Sequence, residues 1–353
     1  MAYYAVKGGE KAIENSLDFY AQITQKAKQL DDEQLIEGLT FSIDKVISEG
    51  SLYSKKLASK AIKRSAGDLL NASFFIRAHR SSCQRVGESK TLDTNEMKLT
   101  RRVSSAFKDI EGGQLLGASN DYEIKLLIET KEKELDFEEF SKKENIIKSA
   151  LTPLRNDNLI KKLPKEEKPW DITRTFPTSP YPRSSILQVM SRGESGSLLG
   201  FSYTSMRGYG DVHPTIGDLR VGTLDIKFTH PFSKKEVKIG SIEATAVECV
   251  GTFNKDENGD TKLTTGFGFC FGKNETKAIS MSIIDLTLYN SSYSVGTEQI
   301  VAADFEMMMH HVDGIESFGF CNHYKLPHYV TFQTDYQIFK SAQKYVEEKE
   351  GKK

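Results

Sequence analysis

Apolar positions along the first ninety residues repeat at helical spacing. From Glu10, just after Gly8-Gly9, residues Ile13, Leu17, Phe19, Tyr20 and Ile23 fall on one broad face. Asp31-Asp32 is a natural cap for a second helix carrying Leu35, Ile36, Leu39, Ile43, Val46 and Ile47, with Gly50 just past its end. Two further helical stretches are expected at about 53–66 and 68–86, and Tyr3–Val6 reads as a short strand. The segment from Lys98 to Ile110 reads as an extended arm or hairpin. In the second half the period changes. After a Pro-rich stretch and a short helix at about 184–192, strand-like runs are expected at 197–205, 219–229, 236–252 and 261–271, with Asn258-Gly259 as a turn signal. Helices at about 274–290, 298–312 and 328–348 close the chain.

Strands grouped before helices argue for an α+β fold, with a helical bundle and attached strand first and a mostly antiparallel sheet with closing helices second. Between residues 129 and 168, 20 of 40 positions are Asp, Glu, Lys or Arg. Such a stretch is usually a solvated surface segment. The expected organisation is therefore a mainly helical part over 1–128, a charged connector over 129–168 and an α+β part over 169–353. No internal repeat is visible.

The 353 residues allow two domains or one large one. With 48 Lys plus Arg against 49 Asp plus Glu, the net charge of −1 supplies no field to draw nucleic acid or anionic lipid. The apolar runs fall far short of the ~18 residues that span a bilayer. Met1 to Lys11 lacks the basic-then-apolar pattern of a secretory signal. Cys83, Cys249, Cys270 and Cys321 are scattered, with no C-x-x-C pair and no disulfide framework. The expectation is a cytoplasmic protein.

Candidate chemistry concentrates in a few places. Four of the seven histidines lie within 310–328, and His323 and His328 flank Pro327. A loop leading into a helix could aim both imidazoles at one point. Zinc takes three or four ligands, so this pair would need help from Cys321, His311, Asp313 or another chain, and a packed loop of hydrogen-bonded histidines is the plain alternative. Arg183, Ser184 and Ser185 sit at an expected helix start, where free N–H groups, two hydroxyls and a guanidinium suit an anion; simple capping explains them equally. Arg207 and His213 flank Gly208 and Gly210 and could contact phosphate, although a tight turn fits as well. Lys7-Gly8-Gly9-Glu10-Lys11 lacks the spacing of a Walker loop, and Gly266-Phe267-Gly268 is a weaker signal still. No G-x-S-x-G or H-E-x-x-H motif occurs. Glu243 and Glu248, five apart, point to opposite faces of a regular strand, so one could face a cavity, with a solvent-facing carboxylate as the plainer explanation.

Several segments, in order, carry a resemblance. They are Tyr4–Ile13, Leu92–Thr94, Lys108–Gly117, Asp171–Thr175, Arg207–Gly210 with His213-Pro214, and His323–Tyr329. Together they resemble the PhnI family of the bacterial carbon–phosphorus lyase core complex over nearly the whole chain, least in 129–168. The resemblance implies phosphonate breakdown. It implies that, with its partners, the chain displaces adenine from MgATP by methylphosphonate, giving α-D-ribose 1-methylphosphonate 5-triphosphate. Alone, it implies a nucleosidase that releases the base from purine nucleoside triphosphates. Implied partners are PhnG, PhnH and PhnJ, with the ATP-binding-cassette proteins PhnK and PhnL; neither nucleic acid nor membrane is among them. The family's histidine pair falls on His323 and His328, implying Zn²⁺ shared with the radical subunit, and Mg²⁺ enters with ATP. Displacement at C1′ passes through oxocarbenium-like character that a carboxylate stabilises, for which Glu243 and Glu248 are the candidates. A scaffold subunit whose catalysis resides in its partners stays open as the alternative.

Overall fold

The computed structural model describes residues 9–24, 30–123, 126, 145–163, 166, 168–206, 214–255, 258–289, 304–325 and 329–351. They fall into two compact units: Asp32–Ile315, and a unit formed by the chain ends, Met1–Asp31 with Glu316–Lys353. The expected limits at 128 and 168 coincide with neither.

The centre of the larger unit is a five-stranded antiparallel sheet of β1 (Lys98–Val103), β2 (Asn145–Ile146), β3 (Thr215–Thr229), β4 (Glu236–Lys255) and β5 (Thr261–Phe271), in the order β2-β1-β3-β4-β5. The fold is α+β, as expected. The sheet recruits β1 and β2 from segments ahead of the second half, because the apolar Leu99 and Met97 need a sheet face to bury against.

Alternation along β3 and β4 builds two cores. Leu219, Val221 and Val247 point to one face and pack with α7 (Arg183–Arg192), α8 (Ser195–Met206), α9 (Glu275–Tyr289) and α10 (Phe305–His311). Leu224, Ile242, Ala244 and Ala246 point to the other, under Met97 and Leu99. On β5, Gly266 and Gly268 face α9. A Cβ at either would lie 1.9 Å from the Ser282 carbonyl oxygen or 2.0 Å from that of Ala278. The Gly266-Phe267-Gly268 signal is thus a direct seat of helix backbone on strand.

Four helices make a bundle with its own core: α2 (Asp32–Gly38), α3 (Thr40–Gly50), α4 (Lys55–Arg64) and α5 (Leu69–Ser82). Ile43, Val46 and Ile47 meet Ala58, Ala61, Ile62, Ala72 and Ile76 there. Ser54 and Asp68 cap α4 and α5 by accepting backbone N–H bonds. The single helix expected over the Leu35–Ile47 pattern is broken at Leu39, next to Gly38. Gly50 is the last residue of α3, and Ser51 takes the left-handed cap at φ 55°.

One element differs in kind. The run 197–205, expected as a strand, is helix α8. Its aromatic and hydroxyl residues read as β-prone, but Leu198, Ser202 and Ser205 are buried at helical spacing while Leu199 and Tyr203 face out. Glu194 accepts the Ser197 N–H at 2.8 Å and stabilises the helix start. Toward the C-terminus, the described part of the expected 298–312 helix is α10, with 298–303 outside the described residues. Gly314–His323 is helix α11 rather than loop, and α12 spans Tyr329–Glu350. α6 (Thr152–Asn156) is a short turn inside the charged stretch.

In the smaller unit α1 (Gly9–Thr24) buries no residue, and its Ile13, Leu17, Phe19, Tyr20 and Ile23 are exposed. The strand expected at Tyr3–Val6 and the Lys7-Gly8 pair lie outside the described residues.

Candidate functional site

Strand β5 ends at Phe271, and Gly272-Lys273-Asn274 turns the chain straight into α9. Gly272 has φ +70°, and a side chain there would collide with Asp44. Asp44, fully buried on α3, holds the turn. Its Oδ2 accepts the Lys273 N–H at 2.9 Å, and its backbone oxygen accepts from Asn274 Nδ2 at 3.0 Å. The Asn274 N–H donates to Thr245 Oγ1 at 3.1 Å. Burial pushes the Asp44 carboxyl above its usual range, against the opposing pull of the Lys273 N–H.

This strand–turn–helix opens on a cleft of about 680 Å³, a volume that suits a small-molecule ligand. Lys45, Arg101, Lys273 and Lys277 line it, together with Glu243 and Glu275. Lys45 bridges Glu49 at 2.5 Å and Glu194 at 2.8 Å. Burial alone would lower its ammonium, but the two carboxylates outweigh that and raise it. Lys277 is buried, donates to Ser48 Oγ at 2.8 Å and the Ser191 carbonyl at 2.7 Å, and is pulled down by burial to about 8. Burial pushes the neighbouring Cys270 thiol up to about 12, so it is no nucleophile near neutrality.

Glu243, one of the two carboxylates singled out from sequence, is in this cleft. Its partner is Lys55, and its backbone N–H donates to Tyr53 Oη at 2.9 Å. Glu248 is on the opposite face of β4, as the odd spacing requires. It is buried there, bonded to Ser149 Oγ and Arg155, with Arg220 at 4.0 Å. Arg102 and Asp218 are both fully buried beside it and joined at 3.1 Å. Glu248 is therefore part of an internal ion network away from the Glu243 cleft.

The anion site expected at the start of α7 is filled from within. Arg183 forms a fork on Asp285, with Nε 2.9 Å from Oδ1 and Nη2 2.6 Å from Oδ2. Burial pushes the Asp285 carboxyl up, countered by Arg183 and by the Phe267 N–H. The Ser184 N–H and hydroxyl both meet the Glu166 carboxylate, and Ser185 Oγ donates to the Pro182 carbonyl at 2.7 Å. The helix terminus binds an anion, and that anion is a side chain of the same chain.

Arg207, His213 and His328 lie outside the described residues. His323 ends α11, partly buried, with its Nδ1 against the Phe320 carbonyl. Of the other ligands considered, Asp313 has both carboxylate oxygens 2.6 Å from Arg77 Nη1, His311 has its Nδ1 2.8 Å from the Met307 carbonyl, and Cys321 is an exposed thiol. Among the described residues no group of three His, Cys, Asp or Glu side chains is placed to hold a metal ion, and no helix is long and apolar enough to cross a membrane.

Sequence reading missed Lys45, Arg101, Lys273 and the turn that organises them. The available signal was Gly272-Lys273 placed between an expected strand and an expected helix.

These features define an α+β chain with a charged cleft at a strand-to-helix turn. Residues 2–346 match the model of the family described as bacterial phosphonate metabolism protein (PhnI), and the chain belongs to that family. It is 38% identical to a putative C-P lyase subunit protein HtxH of Stutzerimonas stutzeri, over 97% of this chain and 96% of the relative. It is similar to alpha-D-ribose 1-methylphosphonate 5-triphosphate synthase subunit PhnI of Rhizobium meliloti (36% identity, 95% and 93% covered). The Escherichia coli protein of the same name is 35% identical, with 97% and 98% covered.

Proposed function

We propose that this chain is a subunit of a carbon–phosphorus lyase core complex and acts in ribosyl transfer. With its partners it displaces adenine from MgATP by methylphosphonate, forming α-D-ribose 1-methylphosphonate 5-triphosphate. The observation that carries the reading is the family match over residues 2–346, joined by two relatives named as subunits of that synthase.

Glu243 suits the chemistry. A carboxylate on a rigid central strand can stabilise positive charge developing at ribose C1′ as the base departs. Water competes for the same carbon, so the chain alone releases adenine slowly as a nucleosidase. Closure by PhnG, PhnH and PhnJ, with PhnK and PhnL as further partners, excludes water and holds the phosphonate in line. His323 and His328, the pair the family resemblance implies, hold Zn²⁺ jointly with a partner subunit. Zinc there supplies Lewis-acid charge when bound.

The test is product analysis by phosphorus NMR and chromatography on purified chain with MgATP and methylphosphonate, with and without partners. Free adenine from the chain alone and ribosyl phosphonate only with partners is the expected result. Adenine release in neither condition would leave a scaffold role.

A further inference from the structure

We propose that the cleft at the start of α9 is the seat of a polyphosphate chain, held by Lys273, Arg101 and the first-turn N–H groups of α9. The proposal rests on the nucleoside triphosphate reading above and gives its phosphate end a place.

Three observations carry it. The first is the turn. Gly272-Lys273-Asn274 joins a central-sheet strand directly to a helix of 15 residues whose first N–H groups have no partners within the helix. Asp44 and Thr245 anchor this turn by the bonds given above, so it is preorganised rather than free to adapt.

The second is Arg101. Its side chain is only 6% exposed, yet it lines the cleft. Nη1 and Nη2 are engaged by the Leu116 carbonyl and Asp121. Nε is buried and has no hydrogen-bond acceptor in good geometry. The nearest anion is Glu275 Oε1 at 2.8 Å, an ion pair without hydrogen-bond alignment. A buried guanidinium N–H left without an aligned acceptor is costly, and a phosphate oxygen would satisfy it.

The third is the state of Lys273. Glu243 pairs with Lys55, while Asp121 and Glu275 share the single guanidinium of Arg101. Lys45 is spent on Glu49 and Glu194. Lys273 stands at the mouth of the helix with no ion-pair partner among the described residues. Glu275, the first residue of α9, occupies the place an oxyanion would take, so it competes with the ligand for Arg101. A polyphosphate fits better than a single phosphate, because Lys273, Arg101 and the helix terminus surround an opening of about 680 Å³ rather than one point.

The test is calorimetric titration of the full-length chain with inorganic tripolyphosphate, which has no base or ribose. Wild-type protein should bind it. Lys273→Ala should weaken binding at least tenfold, and Glu275→Gln should tighten it by removing the internal competitor. Lys273→Ala alters a partly exposed side chain, and circular dichroism verifies its fold. No binding by wild type, or equal affinity in all three proteins, overturns the proposal. The outcome is separable from the reaction reading: tripolyphosphate binding that obeys these shifts without adenine release keeps the site and removes the chemistry. Adenine release from ATP with a KM unmoved by Lys273→Ala removes the site and keeps the chemistry.

Discussion

Lys55, the first residue of α4, and Glu243, on β4, form an ion pair across 188 positions of sequence. Burial draws the Lys55 ammonium down, but Glu243 outweighs that and holds it above its usual range. The pair tethers the helical bundle to the sheet beside the cleft. Both side chains are about one-third exposed, so its contribution to stability is at most ~1 kcal/mol. Glu243→Gln should therefore melt close to wild type. If its carboxylate faces C1′, adenine release by the partner-complete assembly should fall roughly 10²- to 10³-fold. An unchanged rate would remove Glu243 from the chemistry.

Lys277 gives a pH signature. Its folded value is about 8, below the ordinary 10.5. Below pH 8 both folded and unfolded chains carry the proton. Between 8 and 10.5 the unfolded chain still holds it and the folded chain has lost it, so stability from this group rises with pH. The gain is ~3 kcal/mol at most by the linkage relation. Urea midpoints of wild type and Lys277→Met, followed from pH 7 to 10.5, should diverge in favour of wild type as pH rises. Parallel profiles would contradict this assignment.

Arg183→Ala should destabilise the fold by about 3–5 kcal/mol, because it strands the fully buried Asp285 charge. Replacing both residues with apolar ones should recover most of that loss. Urea unfolding of the single and double variants measures the difference. A mild single-variant effect would show that Asp285 is not held as an ion.

Gly268→Ala should cost about 1–3 kcal/mol by forcing α9 off β5. Gly240→Ala, where a Cβ meets nothing within 4 Å, is the matched control and should stay within ~0.5 kcal/mol. Thermal melts compare the two, and equal melting temperatures would argue against close helix–strand contact.

His323→Ala, made in the assembled complex, should lower zinc content and phosphonate use together. Metal analysis of complex purified with its partners reads the first quantity directly. Full zinc in a His323→Ala, His328→Ala double variant would exclude the pair.

What the sequence disclosed follows from the range of the forces involved. Strand β5 was legible residue for residue at 261–271, since alternation and turn chemistry are local signals. Caps such as Ser54 and Asp68 act within three residues, and the helices they start were placed closely. α8 was misread because its composition favours strand while its burial against α9 favours helix, and only tertiary packing decides between them. The reading of Arg183 did not foresee Asp285, 102 positions away, because no local spacing relates the start of α7 to α9. Glu243 was singled out without Lys55 and Lys273 beside it, since no spacing rule relates β4 to the turn before α9. The family resemblance, by contrast, depended on ordered motifs and needed no geometry.

Glu166 at the start of α7 has a kinetic meaning as well as a structural one. It is joined to Ser184 through a short stretch of its own chain, so it never leaves the neighbourhood when its bonds break. A tethered group of this kind acts at an effective concentration in the millimolar range. A free anion of equal intrinsic affinity would have to reach that concentration before it held half the sites. The start of α7 is thus buffered against free anions of equal affinity at micromolar levels.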